Sequence, residues 1–293
     1  MHPEGFGEPQ GGAPMNLELD WPVGRAGVAV VSPSGVETAF QGQVGGGDLF
    51  EVASVTKLLT TLAALAAVES GRIGLDQPVP AGGGGVTLRH LLAHAAGHPF
   101  EPPGRARPPE QRRIYSNVGF RILAEAVADA AGTSFPAWLS ASVLDPLELS
   151  ATRLVERRGH DRDPAAGAAS TLDDLARLAR CLLDRGAPVV GPELFAEATE
   201  VQFPGLAGLV PGVGRFDPCD WGLGFELHDA KHPHWMGDRR SPGAFGHFGA
   251  SGCFLWVDPG AALAAAAVTD RSFDDGKWAM ATWPGWSDRL PGA

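Results

Sequence analysis

The 293-residue sequence has few of the features that mark secreted, membrane-spanning or metal-scaffolded proteins. Its three cysteines, Cys181, Cys219 and Cys253, are far apart and odd in number, which predicts neither a disulfide framework nor a C-x-x-C metal site. No apolar run approaches the roughly 20 residues that cross a membrane. The N-terminus also lacks the basic and apolar regions typical of a signal peptide. We therefore expect a cytoplasmic protein without a membrane span.

An excess of basic charge is also missing. The chain has 23 Lys and Arg against 34 Asp and Glu, a formal net charge of −11, and its basic residues form no long run. Because nucleic acids and anionic membranes attract clustered positive charge, neither is expected as a partner. The hydrophobic fraction of 44% and the chain length suffice for a large globular domain. The oligomeric state has no signature in the sequence.

Residues 50–65 predict a loop that leads into a buried helix. Apolar residues recur there at helical spacing, namely Leu58, Leu62, Leu65 and Val68. Gly71 lies where such a helix would end. Ser54 and Lys57 stand three residues apart at the helix start, so both lie on one face. The lysine amine can therefore reach the serine hydroxyl.

A serine beside a lysine suits acyl transfer. A hydroxyl is a poor nucleophile until a base takes its proton, and a neutral lysine can be that base. Since a free lysine has a pKa of about 10.4, burial or a positive neighbour must lower the pKa of Lys57. The backbone N–H of Ser54, near a helix N-terminus, can donate to a developing oxyanion. The S-x-x-K pattern alone is common by chance and does not establish a site.

Three histidines offer a different chemistry. His90, His94 and His98 recur every four residues within 86–97, a segment that predicts a short helix with Thr87 as its N-cap. A zinc pair on one helix face needs that spacing, but the glutamate of H-E-x-x-H is missing. We expect packed or hydrogen-bonded histidines, with no metal and no cofactor, and a metal site is the alternative.

The rest of the chain predicts helices in the middle and strands toward both ends. A hairpin is expected over 27–40. Helices are expected over 118–131, where Ser116 and Asn117 are suitable caps, over 135–143, and from about 171 onward, where either Ser170 or Thr171 could be the cap. A last helix is expected over 276–287, kinked or broken near Pro284. Strands are expected over 221–227, 244–249, 253–257 and 261–268. The last of these has helical propensity, but the preceding turn at 258–260 favours a strand.

Three motifs follow one another in the order Ser54-x-x-Lys57, Tyr115-Ser116-Asn117 and His247-Phe248-Gly249. In this order they resemble the serine β-lactamase and penicillin-binding-protein superfamily, and most closely its branch of class C β-lactamases, DD-peptidases and family VIII esterases. Longer blocks are similar as well, at 50–65, 88–97, 115–152, 168–179, 221–225 and 246–259. Together these blocks cover most of the chain from about residue 25 to 272.

The resemblance implies an α/β (α+β) fold of the β-lactamase/transpeptidase type. An antiparallel β-sheet flanked by helices would form from about 18–75 and 219–293. A mostly helical part would form from about 76–218, and residues 1–17 would be a flexible tail. Ser54 would lie at the junction of the two parts.

The resemblance also implies roles for individual residues. Ser54 would be the acylated nucleophile and Lys57 its base partner, while Tyr115, as phenol or phenolate, would carry the proton to the leaving group. Asn117 would hydrogen-bond the acyl side chain, and the backbone N–H groups of Ser54 and Ala250 would form the oxyanion hole. We further expect the lysine cation to lower the pKa of Tyr115. The alternative for Tyr115 is an aromatic packing residue.

The third motif departs from the Lys-Thr/Ser-Gly of β-lactamases, whose lysine and hydroxyl hold a substrate carboxylate. Here His247 is mostly neutral at pH 7 and Phe248 has no hydroxyl. Together with Gly249 they would line the substrate site, with His247 as a hydrogen-bond partner of Tyr115 or the substrate rather than a general base. A site without a carboxylate anchor suits neutral esters or amides.

The sequence therefore predicts a serine hydrolase of the esterase or amidase type that forms an acyl-enzyme on Ser54. Its substrate would be a small ester or amide. A β-lactamase, a D-amino-acid peptidase and a biosynthetic acyltransferase are alternatives built on the same chemistry. A binding or sensor protein that is acylated without turnover is an alternative of another class. Single-turnover against multiple-turnover kinetics would separate it from an enzyme.

Overall fold

The computed structural model describes residues 15–156 and 162–292, and residues 1–14 of the predicted tail lie outside them. The described strands are β1 (Ala26–Ser32), β2 (Gly35–Gln41), β3 (Phe50–Ala53), β4 (Arg153–Leu154), β5 (Ala168–Ser170), β6 (Gly208–Val210), β7 (Gly214–Phe216), β8 (Glu226–Leu227), β9 (Phe245–Phe248), β10 (Phe254–Asp258) and β11 (Leu263–Thr269). The α-helices are α1 (Thr56–Glu69), α2 (Leu88–Leu92), α3 (Asn117–Ala131), α4 (Phe135–Leu139), α5 (Leu172–Leu183), α6 (Pro192–Thr199) and α7 (Trp278–Ser287). A π-helical turn, Ser140–Leu144, extends α4. Across the described residues, no helix is long and apolar enough to span a membrane.

The main sheet has six antiparallel strands in the order β2-β1-β11-β10-β9-β8. Strands from both chain ends meet at its centre, where Val28 of β1 lies opposite Ala267 of β11. All seven residues of β11 are buried, although its alanines favour a helix in isolation. Pairing with β1 and β10 supplies hydrogen-bond partners for the backbone of β11 along both edges. This outweighs the helical propensity of its alanines. The expected strand, hairpin and antiparallel sheet are confirmed.

Helices cover both faces of this sheet. Helix α5 packs on β1, β10 and β11 from one side. On the other side α7 and the chain start form an aromatic layer that contains Trp21, Trp278, Trp283 and Trp286. Leu17, the last residue of the predicted tail, is buried in the same layer. The final helix expected over 276–287 is therefore confirmed as α7, which continues through Pro284.

Helix α1 lies next to α3 in a second hydrophobic core, separate from the aromatic layer. It positions the serine–lysine pair. Eleven of its fourteen residues are buried, and each buried leucine stabilises the fold by about 1.5–3 kcal/mol relative to exposure. Strand β3, expected as part of a loop, pairs with β5 and delivers the chain to Ser54. Of the candidate caps, Ser116 and Thr171 are the residues whose side chains accept first-turn N–H groups, of α3 and α5 respectively.

Two element predictions are wrong. The helix expected over 86–97 ends at Leu92, because His94 adopts the left-handed conformation (φ 55°). The strand expected over 221–227 is reduced to β8, because Gly224 takes φ 75° as the chain passes α1. A Cβ at Gly224 would lie 1.8 Å from Thr61 Oγ1, so only glycine permits this approach. Residues 76–218, expected to be mostly helical, hold α2–α6 and also β4–β7.

Candidate active site

Five of the sequence-predicted site residues line one cavity of about 240 Å³, namely Ser54, Tyr115, His247, Phe248 and Ala250. The other lining residues, which the sequence did not single out, are Phe100, Val210, Pro211, Trp221, Glu226, Phe273 and Asp274. The walls are mainly aromatic and apolar. Such a cavity with a few convergent polar groups is the usual form of a small-molecule site.

The serine–lysine pair stands at the turn between β3 and α1. Thr56 fixes this turn, because its hydroxyl donates to Ala53 O at 2.5 Å and accepts from Ala168 N–H at 2.9 Å. Lys57 Nζ lies 3.4 Å from Ser54 Oγ, as the spacing predicts. The two side chains are thus within reach for proton transfer.

Lys57 is fully buried and holds its amine between two further acceptors. Nζ donates to Asn117 Oδ1 at 2.6 Å and to the carbonyl of Ala165 at 2.8 Å. Burial lowers the pKa of Lys57 to about 7; Asp163 opposes this shift and Arg121 adds to it. A large share of the amine is therefore neutral near pH 7, and the expected lowering arises from burial first.

A charged cluster that the sequence did not indicate lies behind Lys57. Arg121 on α3 donates to Glu101 at 2.6 Å and to Asp163 at 2.8 Å. Glu101 in turn accepts from Asn117 Nδ2 at 2.9 Å, so the amide that holds Lys57 is itself held. These residues come from three separate segments with no common sequence pattern. Only the fold brings them together.

Tyr115 is buried over the amine, with its ring centre 4.6 Å from Lys57 Nζ. The expected lowering of its pKa is wrong. Burial raises the pKa of Tyr115, and it outweighs the opposing hydrogen bond with Ser54. The sequence places a cation beside the phenol but does not reveal how completely the ring is enclosed. Tyr115 is therefore a neutral phenol at physiological pH.

His247 on β9 lines the cavity. Its Nδ1 stands 2.7 Å from the carbonyl oxygen of Phe248, which only accepts, so Nδ1 carries the hydrogen. Burial and the nearby Lys57 lower the pKa of His247 to about 3, so the ring is neutral. Its Nε2 is then a bare acceptor, and it is buried with no partner among the described residues.

Gly249 brings the end of β9 against the turn that carries Ser54. A Cβ at this position would lie 2.3 Å from Val52 O and 3.1 Å from Ala53 Cβ. Any larger residue would therefore push β9 away from β3. The close approach places Ala250 at the cavity wall together with Ser54.

The three histidines do not form a metal site. His90 Nε2 is 2.9 Å from Glu110 Oε1, and His94 Nδ1 accepts from Ser116 N–H at 3.2 Å. His94 has left the helix and packs its ring against Tyr115 and Trp221. Within the described ranges, no group of three or more His, Cys, Asp or Glu side chains is arranged to hold a metal.

The chain is similar to several known proteins. Over 92% of this chain and 94% of the other, the fold matches a crystal structure described as a β-lactamase (Mb2281c) from Mycobacterium bovis, with a TM-score of 0.83 and 45% identity. EstCE1, a hydrolase with promiscuous acyltransferase activity, shares the fold at a TM-score of 0.72 with 18% identity over 92% and 94% of the two chains. Penicillin-binding protein 4* of Bacillus subtilis is 28% identical over an alignment of 141 residues, and the match covers 38% of this chain and 31% of that protein.

A match to one family model extends over most of the chain. The Beta-lactamase family model matches residues 21–284, which include every motif named above. The sheet, the helices and the order of the motifs are those that the resemblance implies. The chain belongs to the Beta-lactamase family and has the β-lactamase/transpeptidase fold.

Proposed function

We propose that the protein is a serine hydrolase that acylates Ser54 with a small ester or amide that carries no carboxylate next to the scissile bond. The observation that carries this proposal is the fully buried Lys57, whose amine lies 3.4 Å from Ser54 Oγ and has a pKa lowered to about 7. A base with this pKa is half neutral at physiological pH, which is the condition for accepting the serine proton.

The hydrogen bonds of Lys57 orient its lone pair. A neutral amine has two N–H groups and one lone pair. The two short donations, to Asn117 Oδ1 and Ala165 O, use both N–H groups. The lone pair is then free to accept the hydroxyl proton of Ser54. Asn117 is thus a positioning residue for the base, in addition to the substrate contact that the resemblance implies.

The reaction would proceed in two halves. Lys57 takes the proton as Ser54 Oγ attacks the carbonyl carbon, and the N–H groups of Ser54 and Ala250 receive the oxyanion. The C–O or C–N bond breaks, and the leaving group takes the phenol proton of Tyr115, which Lys57 then replaces. In the second half, water attacks the acyl carbon and the proton transfers of the first half run in reverse. The Ser54 hydroxyl is restored and the carboxylic acid is released. The raised pKa of Tyr115 keeps the phenol protonated at physiological pH, so its proton is present when the leaving group departs.

His247 favours a neutral substrate over a carboxylate beside the scissile bond. Its bare Nε2 is an acceptor, so it attracts an O–H or N–H and repels a carboxylate oxygen. Phe248 provides no hydroxyl at the neighbouring position. This supports an esterase or amidase over a β-lactamase or D-amino-acid peptidase, whose substrates carry that carboxylate.

Acyl transfer to another acceptor is the second candidate. EstCE1 is described as a hydrolase with promiscuous acyltransferase activity, and it shares this fold. The largely apolar cavity walls favour this candidate, because a site that excludes water lets an alcohol or amine compete for the acyl group.

The test compares turnover of 4-nitrophenyl butyrate with that of a chromogenic cephalosporin. We expect steady ester hydrolysis, at least about 100-fold faster per enzyme than β-lactam opening, and its loss in Ser54→Ala. A single stoichiometric burst without turnover would support the sensor alternative. Faster opening of the cephalosporin would make the protein a β-lactamase.

A further inference from the structure

A second groove adjoins the catalytic cavity on the side of Tyr115. It has a volume of about 380 Å³ and shares Phe100, Tyr115 and Pro211 with the cavity, but it does not include Ser54. The proposed mechanism places the leaving group on the side of the Tyr115 phenol. A groove that continues from Tyr115 away from Ser54 is therefore positioned for the distal part of the leaving group.

The charge of this groove is opposite to that of the whole protein. Four arginines line it, Arg107, Arg112, Arg113 and Arg215, and no acidic residue does so among the described residues that line it. The chain as a whole carries a net charge of −11. A cluster of cations on an acidic protein attracts anions to one place and directs their approach.

Arg113 has a structural role that separates it from the other three. It is buried and donates to four backbone carbonyls, those of Ala93, Gln202, Phe203 and Cys219. Arg107, Arg112 and Arg215 are exposed, and within the part of the chain that the structure describes none of them forms an ion pair. Their guanidinium groups are thus available to a ligand.

The exposed arginines stand on anchored backbone. Arg107 N–H donates to Gly97 O at 2.9 Å. Residue 113, next to Arg112, bridges to Gly208 at the start of β6. Arg215 on β7 lies directly opposite Leu209 on β6. The groove is therefore built between two fixed segments.

The groove also has an apolar component. Phe100 and Leu209 are 51% and 46% exposed, and both line it. Large apolar side chains this exposed beside a catalytic cavity mark a surface that a ligand covers. An amphiphilic ligand, with an apolar stem and an anionic end, matches both components.

We propose that this groove binds an anionic, partly apolar leaving group of the acyl donor, carrying a carboxylate or phosphate beyond Tyr115. The proposal rests on the proposed function and specifies its substrate class. It is compatible with the neutral acceptor at His247, because the anion lies at the far end of the leaving group rather than next to the scissile bond. Arginine suits both anions, since its planar fork pairs with two oxygens at once.

The experiment uses two matched pairs of substrates that differ only in the anion. One pair is the butyrate esters of 4-nitrophenol and 5-hydroxy-2-nitrobenzoate, which adds a carboxylate on the ring carbon meta to the phenol oxygen, separated from the scissile bond by the ring. The other is the butyryl thioesters of pantetheine and 4′-phosphopantetheine, which adds a phosphate farther away. The measured quantity is the ratio of kcat/KM within each pair, corrected for hydroxide-catalysed hydrolysis. A preference in the second pair alone identifies phosphate at a distance, and a preference in both shows that a carboxylate suffices.

The variants are Arg107→Gln, Arg112→Gln and Arg215→Gln, with Arg153→Gln as a matched control at an exposed arginine outside the groove. We expect each groove variant to lower the anionic-to-neutral ratio about threefold, and the control to leave it unchanged. The preference should also fall as salt is added. A wild-type ratio near one in both pairs, or a ratio that the three variants leave unchanged, would overturn the proposal. Failure of the proposed function is distinguishable, because the neutral esters would then not be turned over at all, or Ser54→Ala would hydrolyse them as well.

Discussion

The charged cluster behind Lys57 allows a test of Lys57 as the catalytic base. Two variants each remove one charge, and the two charges have opposite signs. If neutral Lys57 is required, kcat/KM for a neutral ester rises with pH through an inflection near 7 and is flat above it. Asp163 raises the pKa of Lys57, so Asp163→Asn should lower the inflection. Arg121 lowers the pKa of Lys57, so Arg121→Gln should raise it.

The magnitude follows from electrostatics in the protein interior. At an effective dielectric constant near 20, removing one partly screened charge changes the electrostatic energy of the Lys57 ammonium by about 1 kcal/mol. This corresponds to a shift of about 0.7 unit in the pKa of Lys57. The two inflections should therefore differ by more than one unit, with the wild type between them. At pH 6 Asp163→Asn should be more active than Arg121→Gln, because more of its Lys57 is neutral.

The assay is the pH dependence of kcat/KM for 4-nitrophenyl butyrate between pH 5 and 9, with thermal unfolding to verify that each variant is folded. Glu125→Gln is the matched control, since Glu125 is an exposed acid on α3 one turn from Arg121. Its inflection should coincide with that of the wild type. Shifts of the same sign in both charge variants, or no shift in either, would refute Lys57 as the titrating base.

Three further substitutions probe the other groups of the site. Tyr115→Phe should lower kcat for an alkyl ester, whose leaving alkoxide needs a proton, about 100-fold without unfolding the protein, because it removes only the phenol hydroxyl; near wild-type kcat would remove Tyr115 from the mechanism. Gly249→Ala should cost about 1–3 kcal/mol of unfolding free energy, measured by urea denaturation, since its Cβ would lie 2.3 Å from Val52 O; an unchanged midpoint would contradict that contact. The double variant His247→Lys/Phe248→Thr should raise β-lactam kcat/KM relative to the ester about tenfold, as it supplies a cation and a hydroxyl for a carboxylate; an unchanged ratio would show that selectivity arises elsewhere.

The sequence predicts most of the framework where local signals are strong. Turn residues and caps delimit α3, α5 and the hairpin β1–β2 correctly. The strand β11 is predicted in spite of its alanines, because the preceding turn indicates a returning chain. In each of these cases the decisive information lies within a few residues of the element.

The remaining features depend on contacts between distant segments. Strand β3 exists because β5, more than 100 residues away, pairs with it. The early end of α2 follows from the conformation of His94, whose ring packs against Tyr115 and Trp221. Neither has a local signal in the sequence.

The candidate site shows the same division. The motifs identify Ser54, Lys57 and Tyr115, but the carbonyl of Ala165 that holds the amine comes from a segment without a motif. The pKa of Tyr115 is raised because burial of the ring outweighs the hydrogen bond with Ser54, which lowers it. Residue types establish which groups interact, and only the three-dimensional structure establishes which effect is larger.

The most direct test of the central claim is intact-mass analysis after treatment with a serine-directed fluorophosphonate, for the wild type and Ser54→Ala. A single adduct on the wild-type chain, mapped to the peptide that contains Ser54 and absent from the variant, is the predicted result. Labelling should rise with pH through the Lys57 inflection near 7, because the neutral amine activates the hydroxyl. A folded wild-type protein that forms no adduct, or an adduct that persists in Ser54→Ala, would contradict the assignment of Ser54 as the nucleophile.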